Sequence, residues 1–266
     1  MSLFNTKQKL NLARGILAKN SPLYVQFYIT ARCNLSCEQC NIIFADADNR
    51  EMNINQIRSM AKNFAEIGVA MVLLIGGEPF ARKDLPEIIE AFVSNGIHVR
   101  MQTNGLASET QLQKCVEAGG HDISISLDSL EGALQETING GYAKSWERAI
   151  KAVSIINKIF PDNGTGFFGT VLMPRNIMHI PDVIEFATEI GWSVSLVPAH
   201  TSEPGKPRGF RTFDDDQLCT FKKEDYGAVG GLIDKLKEMK KKGYSLYDSE
   251  QYLDDIYRFI VGDELQ

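Results

Sequence analysis

Histidine and cysteine are scarce in this chain, with four and five copies among 266 residues. The histidines (His98, His121, His179, His200) stand singly, so they offer no ready set of zinc ligands. Five cysteines is an odd number, three of them lie too close together for an ordinary framework, and nothing resembles a secretory signal. A disulfide scaffold is therefore excluded. Positive charge is also short: 28 Lys and Arg against 34 Asp and Glu leave a formal charge of −6, which argues against nucleic acid as a bulk electrostatic partner. Long apolar runs are missing, and the longest, residues 69–75, is far too short to span a bilayer. Residues 1–20 carry Lys7, Lys9, Arg14 and Lys19 among Leu10, Leu12, Ile16 and Leu17, the pattern of an amphipathic helix and not of a signal peptide.

What is present is one dense cluster, Cys33-Asn-Leu-Ser-Cys37-Glu-Gln-Cys40. Its spacing offers three thiolates from one short loop to one metal centre. A four-iron cubane normally takes four thiolates, so three would leave one iron open to something other than protein. A structural zinc site wants four Cys or His ligands and would have to recruit a distant fourth, because Cys115 and Cys219 are isolated. The spacing C-x3-C-x2-C, directly after the apolar segment 23–29, resembles the signature of the radical S-adenosylmethionine (SAM) enzymes. The resemblance implies a [4Fe–4S] cluster on Cys33, Cys37 and Cys40, with the open iron chelated by the amino and carboxylate groups of SAM. Thiolates that hold iron belong in a reduced cytosol.

Beyond the leader, short apolar runs alternate with segments of helical period, the pattern of βα units and a parallel sheet. Strands are expected at 23–30, 70–75, 98–102, 122–127, 166–172 and 193–197. Helices are expected at 55–68, 85–95, 109–118, 145–158 and 180–190, with Gly68, Gly96 and Gly191 as left-handed caps. The expected fold is α/β, a partial (β/α)6 TIM-like barrel with parallel strands. An N-terminal helix (1–22) precedes the barrel core (23–198), and a loop with a helical C-terminal extension (199–266) follows. The basic run 235–242 reads as the solvated face of a helix whose Leu232, Ile233, Leu236 and Met239 point inward.

Function in such folds sits at the carboxyl ends of strands. The second strand runs into Gly76-Gly77-Glu78-Pro79, where two glycines let the backbone approach a ligand and a carboxylate is able to pair with an ammonium. A tight turn after a buried strand explains the same residues. One βα unit after the cysteine loop, the motif resembles the family segment that holds the amino group of SAM. Asn104 reads equally as a turn residue, and Ser126 and Asp128 as N-caps; the resemblance puts the SAM ribose and carboxylate near these strand ends. One departure stands out. The family usually has an aromatic before the third cysteine, packed near the adenine, and here it is Gln39, which offers an amide hydrogen bond instead.

Residues 198–216 are rich in Pro, Gly, Ser and charge and read either as a cover over substrate or as a surface loop. The resemblance spans about residues 23–198. It is closest to the branch of molybdenum-cofactor, haem and quinone-cofactor synthesis enzymes and peptide maturases, many of which carry a cysteine-rich auxiliary-cluster domain (SPASM or twitch). Only Cys219 follows the barrel here, so residues 199–266 cannot build that domain. The implied activity is reductive cleavage of SAM to a 5′-deoxyadenosyl radical that abstracts hydrogen from a small-molecule or peptide substrate. An electron donor such as flavodoxin or ferredoxin is implied, and neither nucleic acid nor membrane is expected as a partner. The alternative is a non-catalytic iron–sulfur redox or sensing module.

Overall fold

The computed structural model describes residues 22–37, 39–40, 51–199 and 219–263, with isolated positions among residues 6–17. The expected N-terminal helix and the segment 198–216 therefore fall largely outside the described residues. The elements are β1 (Tyr24–Thr30), α1 (Ile54–Glu66), β2 (Met71–Gly76), α2 (Leu85–Val93), β3 (His98–Thr103), α3 (Glu109–Glu117) and β4 (Asp122–Ser126). They continue with α4 (Gly132–Ile138), α5 (Ser145–Ile159), β5 (Thr165–Leu172), α6 (Ile180–Glu189), β6 (Ser193–Pro198), α7 (Tyr226–Lys241) and α8 (Glu250–Val261). The six strands form one sheet in the order β1-β2-β3-β4-β5-β6. The α/β architecture with alternating helices is the one expected, and most boundaries shift by only one or two residues.

Local chemistry explains where helices begin and end. Asn53 caps α1 and Ser108 caps α3, each in a capping box with Gln56 and Gln111, so orphan N–H groups at both starts are satisfied. Gly68, Gly96 and Gly191 sit at φ 88°, 79° and 76°, the left-handed stop that glycine adopts without a Cβ penalty. The sequence pattern missed α4. This seven-residue helix opens with a glycine, and its N-cap, Glu131, makes no side-chain cap bond.

The described residues divide into two compact units. The first takes 22–34, 51–124 and 150–165. Its β1 and β2 pair in parallel from Tyr24 opposite Met71 to Tyr28 opposite Ile75, with a shift before Thr30 meets Gly76. Phe27 of β1, Phe64 of α1 and Phe92 of α2 meet with ring centres 5.9–6.2 Å apart, so aromatic packing clamps both helices to one face of the strand.

The second unit takes 35–37, 39–40, 125–149, 166–199 and 219–263. Phe168 stacks on Phe186 and lies 5.0 Å from Trp192, seating α6 against β5. The tail forms the helical extension expected of it, as two helices, and α7 buries Leu232, Ile233, Leu236 and Met239 beneath its lysines. It also does something the sequence did not announce. Residues 245–247 run beside β6, where the Val194 N–H donates to Ser245 O at 2.9 Å and the Tyr247 N–H to Val194 O at 2.8 Å. Asp248 then accepts from Ser195 Oγ (3.0 Å) and the Leu196 N–H (2.7 Å), so the backbone of β6 does not end in bare donors. Among the described residues, no helix is long and apolar enough to cross a membrane.

Candidate functional site

In the first unit, the backbone that carries Cys33 lies directly against the glycine turn. The Gly77 N–H donates to Thr30 O and the Glu78 N–H to Arg32 O, both at 2.8 Å. Gly76 has φ +154°. A Cβ on it would overlap Thr30 O, and one on Gly77 would overlap the carbonyl oxygens of Ala31 and Arg32. The two glycines are thus demanded by the close approach of the turn to the cysteine loop.

Glu78 is 2% exposed. Its Oε1 accepts from the Phe80 N–H (3.0 Å) and Thr103 Oγ1 (2.9 Å), and its Oε2 from the Asn104 N–H (2.7 Å). The carboxylate therefore ties the end of β2 to the end of β3. Burial pushes its pKa up to about 7, against the pull of these donors. Three of roughly four acceptor positions on the carboxylate are filled. Pro79 opens a 3₁₀ turn, Pro79–Ala81, behind it. Asn104 does act as a turn residue, its Oδ1 accepting from the Leu106 N–H at 3.0 Å. Its Nδ2 donates to Asn34 Oδ1 at 2.7 Å and lies 4.0 Å from Cys33 Sγ.

The second unit holds Cys37 and Cys40, with the Cys40 N–H donating to Cys37 O at 3.1 Å. Gln39 Nε2 donates to Asp128 Oδ2 at 3.3 Å. Asp128 is 1% exposed and also accepts the Val171 N–H on Oδ1 at 2.7 Å; burial pushes its pKa up to about 7. Asp128 does not cap the next helix, since the residue before α4 is Glu131. Its carboxyl anchors Gln39 and β5 instead. Ser126 ends β4, half-buried, and likewise caps no helix.

The structure also brings forward residues that the sequence did not single out. Gln135 Oε1 accepts the backbone N–H groups of Asp128 (2.7 Å) and Ser129 (2.9 Å), which fixes how its amide points. Gln135 Nε2 then donates to Asn139 Oδ1 (3.1 Å), and Asn139 Nδ2 to Ser145 Oγ (3.0 Å). Asn139 Oδ1 lies 3.8 Å from Cys37 Sγ. Gly140, at φ +78°, presses so closely on Ser36 O that a Cβ would overlap it. Asn139-Gly140-Gly141 reads as turn chemistry in the sequence, but nothing local ties that turn to Cys37, 102 residues away.

Among the described residues, no group of three or more His, Cys, Asp or Glu side chains is gathered as a bound metal ion would require. The donor set nevertheless fits an iron–sulfur centre in its chemistry. Cys33, Cys37 and Cys40 are half-buried soft ligands in one short loop, and none is in a disulfide. Cys115 and Cys219 are buried elsewhere, and burial pushes the Cys115 thiol up to about 12. One further observation fits a ligand with an amino group: Gln39 Oε1 is buried and, among the described residues, has no hydrogen-bond partner. A buried acceptor left alone is costly.

The model of the Radical SAM superfamily matches residues 27–187. The chain belongs to that superfamily. The superfamily implies SAM and an iron–sulfur cluster. The chain is 31% identical over 173 residues to a probable GTP 3′,8-cyclase of Methanocaldococcus jannaschii, covering 64% of this chain and 56% of that one. It is 27% identical over 172 residues to the PqqA peptide cyclase of Bradyrhizobium diazoefficiens, covering 64% and 44%. The chain thus spans about half the length of these curated relatives. In fold it is similar to Streptococcus suis SuiB bound to S-adenosylmethionine, with TM-score 0.65 and 17% identity over 90% of this chain and 53% of that one. It is also similar to anSMEcpe with bound AdoMet and Kp18Cys peptide, with TM-score 0.64 and 17% identity over 92% and 68%.

Proposed function

We propose that this radical SAM chain holds a [4Fe–4S] cluster on Cys33, Cys37 and Cys40 and cleaves SAM reductively to act on a small-molecule or peptide substrate. The observation that carries the reading is the cysteine loop packed against the Gly76-Gly77-Glu78 turn in a superfamily member. When bound, cluster and SAM supply a 5′-deoxyadenosyl radical for hydrogen abstraction, the hard chemistry that cofactors bring. The remaining work belongs to this chain. Gly76, Gly77 and Pro79 shape the turn that receives the methionine end of SAM. Glu78 keeps that turn in place through its three donors and offers its last acceptor position to the ammonium. Gln39 Oε1 accepts from the adenine amino group, its amide held by Asp128, so Asp128 acts by positioning. Asn104 and Ser126 contact the ribose and carboxylate at their strand ends.

The substrate class follows the relatives, whose names divide between a nucleotide cyclase and a peptide cyclase, and an electron donor such as flavodoxin or ferredoxin would serve in a reduced cytosol. The test is to reconstitute the protein anaerobically, add SAM and dithionite, and follow 5′-deoxyadenosine. Release that depends on all three cysteines supports the reading. A protein that carries the cluster, binds SAM and releases none is a sensing module.

A further inference from the structure

The first unit contains a cavity of about 310 Å³ walled by the Pro79–Ala81 turn, the start of α2 and one face of α3, with Glu78 not among its lining residues. That volume lies at the lower end of small-molecule sites. Its apolar wall is Phe80, Leu85 and Pro86 with the Cys115 thiol, three of which (Phe80, Leu85, Cys115) are at most 6% exposed.

The polar groups around it separate into those already used and those left over. Gln111 spends both ends of its amide, Nε2 donating to Phe80 O and Oε1 accepting from the N–H and hydroxyl of Ser108. Arg82 is committed to Asp84 and to the carbonyls of Ile29 and Met52. Lys83 and Lys114 are left over, making no ion pair among the described residues. No carboxylate lines the cavity, in a chain whose formal charge is −6. Arg82 and Asp84 cancel. Lys83 and Lys114 thus give the edge of the cavity a positive charge that a carboxylate would match.

We propose that this cavity binds a small organic monoanion with an apolar body, its carboxylate between Lys83 and Lys114 and its body against Phe80, Leu85 and Pro86. The site is separate from the cysteine loop and does not depend on how the cluster or SAM is held. The test is calorimetry of the anaerobically reconstituted full chain with octanoate, beside octanamide (the body without the charge) and inorganic phosphate (the charge without the body). Octanoate is expected to bind one to one, and octanamide and phosphate about tenfold or more weakly. The double variant Lys83→Glu, Lys114→Glu alters only exposed side chains, so it should keep its thermal midpoint and lose octanoate binding by about tenfold or more. The proposal is overturned if octanoate shows no saturable binding, if octanamide or phosphate binds as well as octanoate, or if the double variant binds octanoate as the parent does.

Discussion

The two units hold the cysteine loop by the same means, and only one of the two grips shows in the sequence. In the first unit the grip is Gly76 and Gly77 against the backbone of residues 30–32, with Asn104 beside Cys33. In the second it is Gly140 against Ser36, with Asn139 beside Cys37. Each grip pairs a glycine that tolerates no side chain with an asparagine near a sulfur, and each has a buried carboxyl nearby, Glu78 or Asp128, with its pKa pushed up to about 7. They differ in how fully the polar groups are satisfied. Glu78 has three protein donors. Asp128 holds a glutamine whose oxygen is orphaned. The first grip keeps one carboxylate acceptor position open beside three filled ones, whereas the second leaves a buried amide oxygen with no partner among the described residues.

The largest effects should come from the glycines. Gly77→Ala and Gly140→Ala each force a Cβ onto a loop carbonyl, and Gly140 adds left-handed strain; a cost of about 3 kcal/mol is expected for each. Iron content after reconstitution and the thermal midpoint should fall together in both. If Gly140→Ala is silent while Gly77→Ala is not, the second grip is not a grip.

Next comes the buried amide chain. Asn139→Leu strands Gln135 Nε2 and the Ser145 hydroxyl away from water, at a cost of about 2 kcal/mol. Asn104→Ala removes a more exposed side chain and should cost about 1 kcal/mol or less. Chemical denaturation of the two variants checks the order, and an equal loss would erase the distinction between the units.

The carboxyls give a pH signature. Both hold their protons more tightly folded than unfolded, so folding takes up protons. The stability from this source is full at or below the ordinary carboxyl range. It declines as pH rises from about 4.5, and for Glu78 the loss is complete above about 7. Denaturation at pH 5.5 and 8 should show the parent losing stability at the higher pH. Asp128→Asn and Glu78→Gln should each flatten that slope, and a slope unchanged in both variants would remove these carboxyls as its source.

Much of this was legible from residues alone. The glycine stops, the alternating segments and the cysteine spacing are local signals, and they placed all six strands. The GGEP turn announced itself through two adjacent glycines beside a carboxylate, although the structure shows that those glycines answer first to the cysteine loop. The second grip was not legible because its parts are joined across distance: Cys37 and Asn139 are 102 residues apart, and the helix that presents Gln135 and Asn139 is short and weakly patterned. Asp128 read as a helix cap because Asp after a strand often is one; only its burial and the Val171 N–H reveal a brace.

Delivery of three thiolates from one loop to one cluster is open to a decisive check by Mössbauer spectroscopy with iron counting on the anaerobically reconstituted protein and its single cysteine variants. Close to four irons per chain in one cluster are expected, lost in Cys33→Ala, Cys37→Ala and Cys40→Ala and retained in Cys115→Ala and Cys219→Ala. A cluster that survives Cys37→Ala, or a colourless protein that takes up zinc in its place, would contradict it.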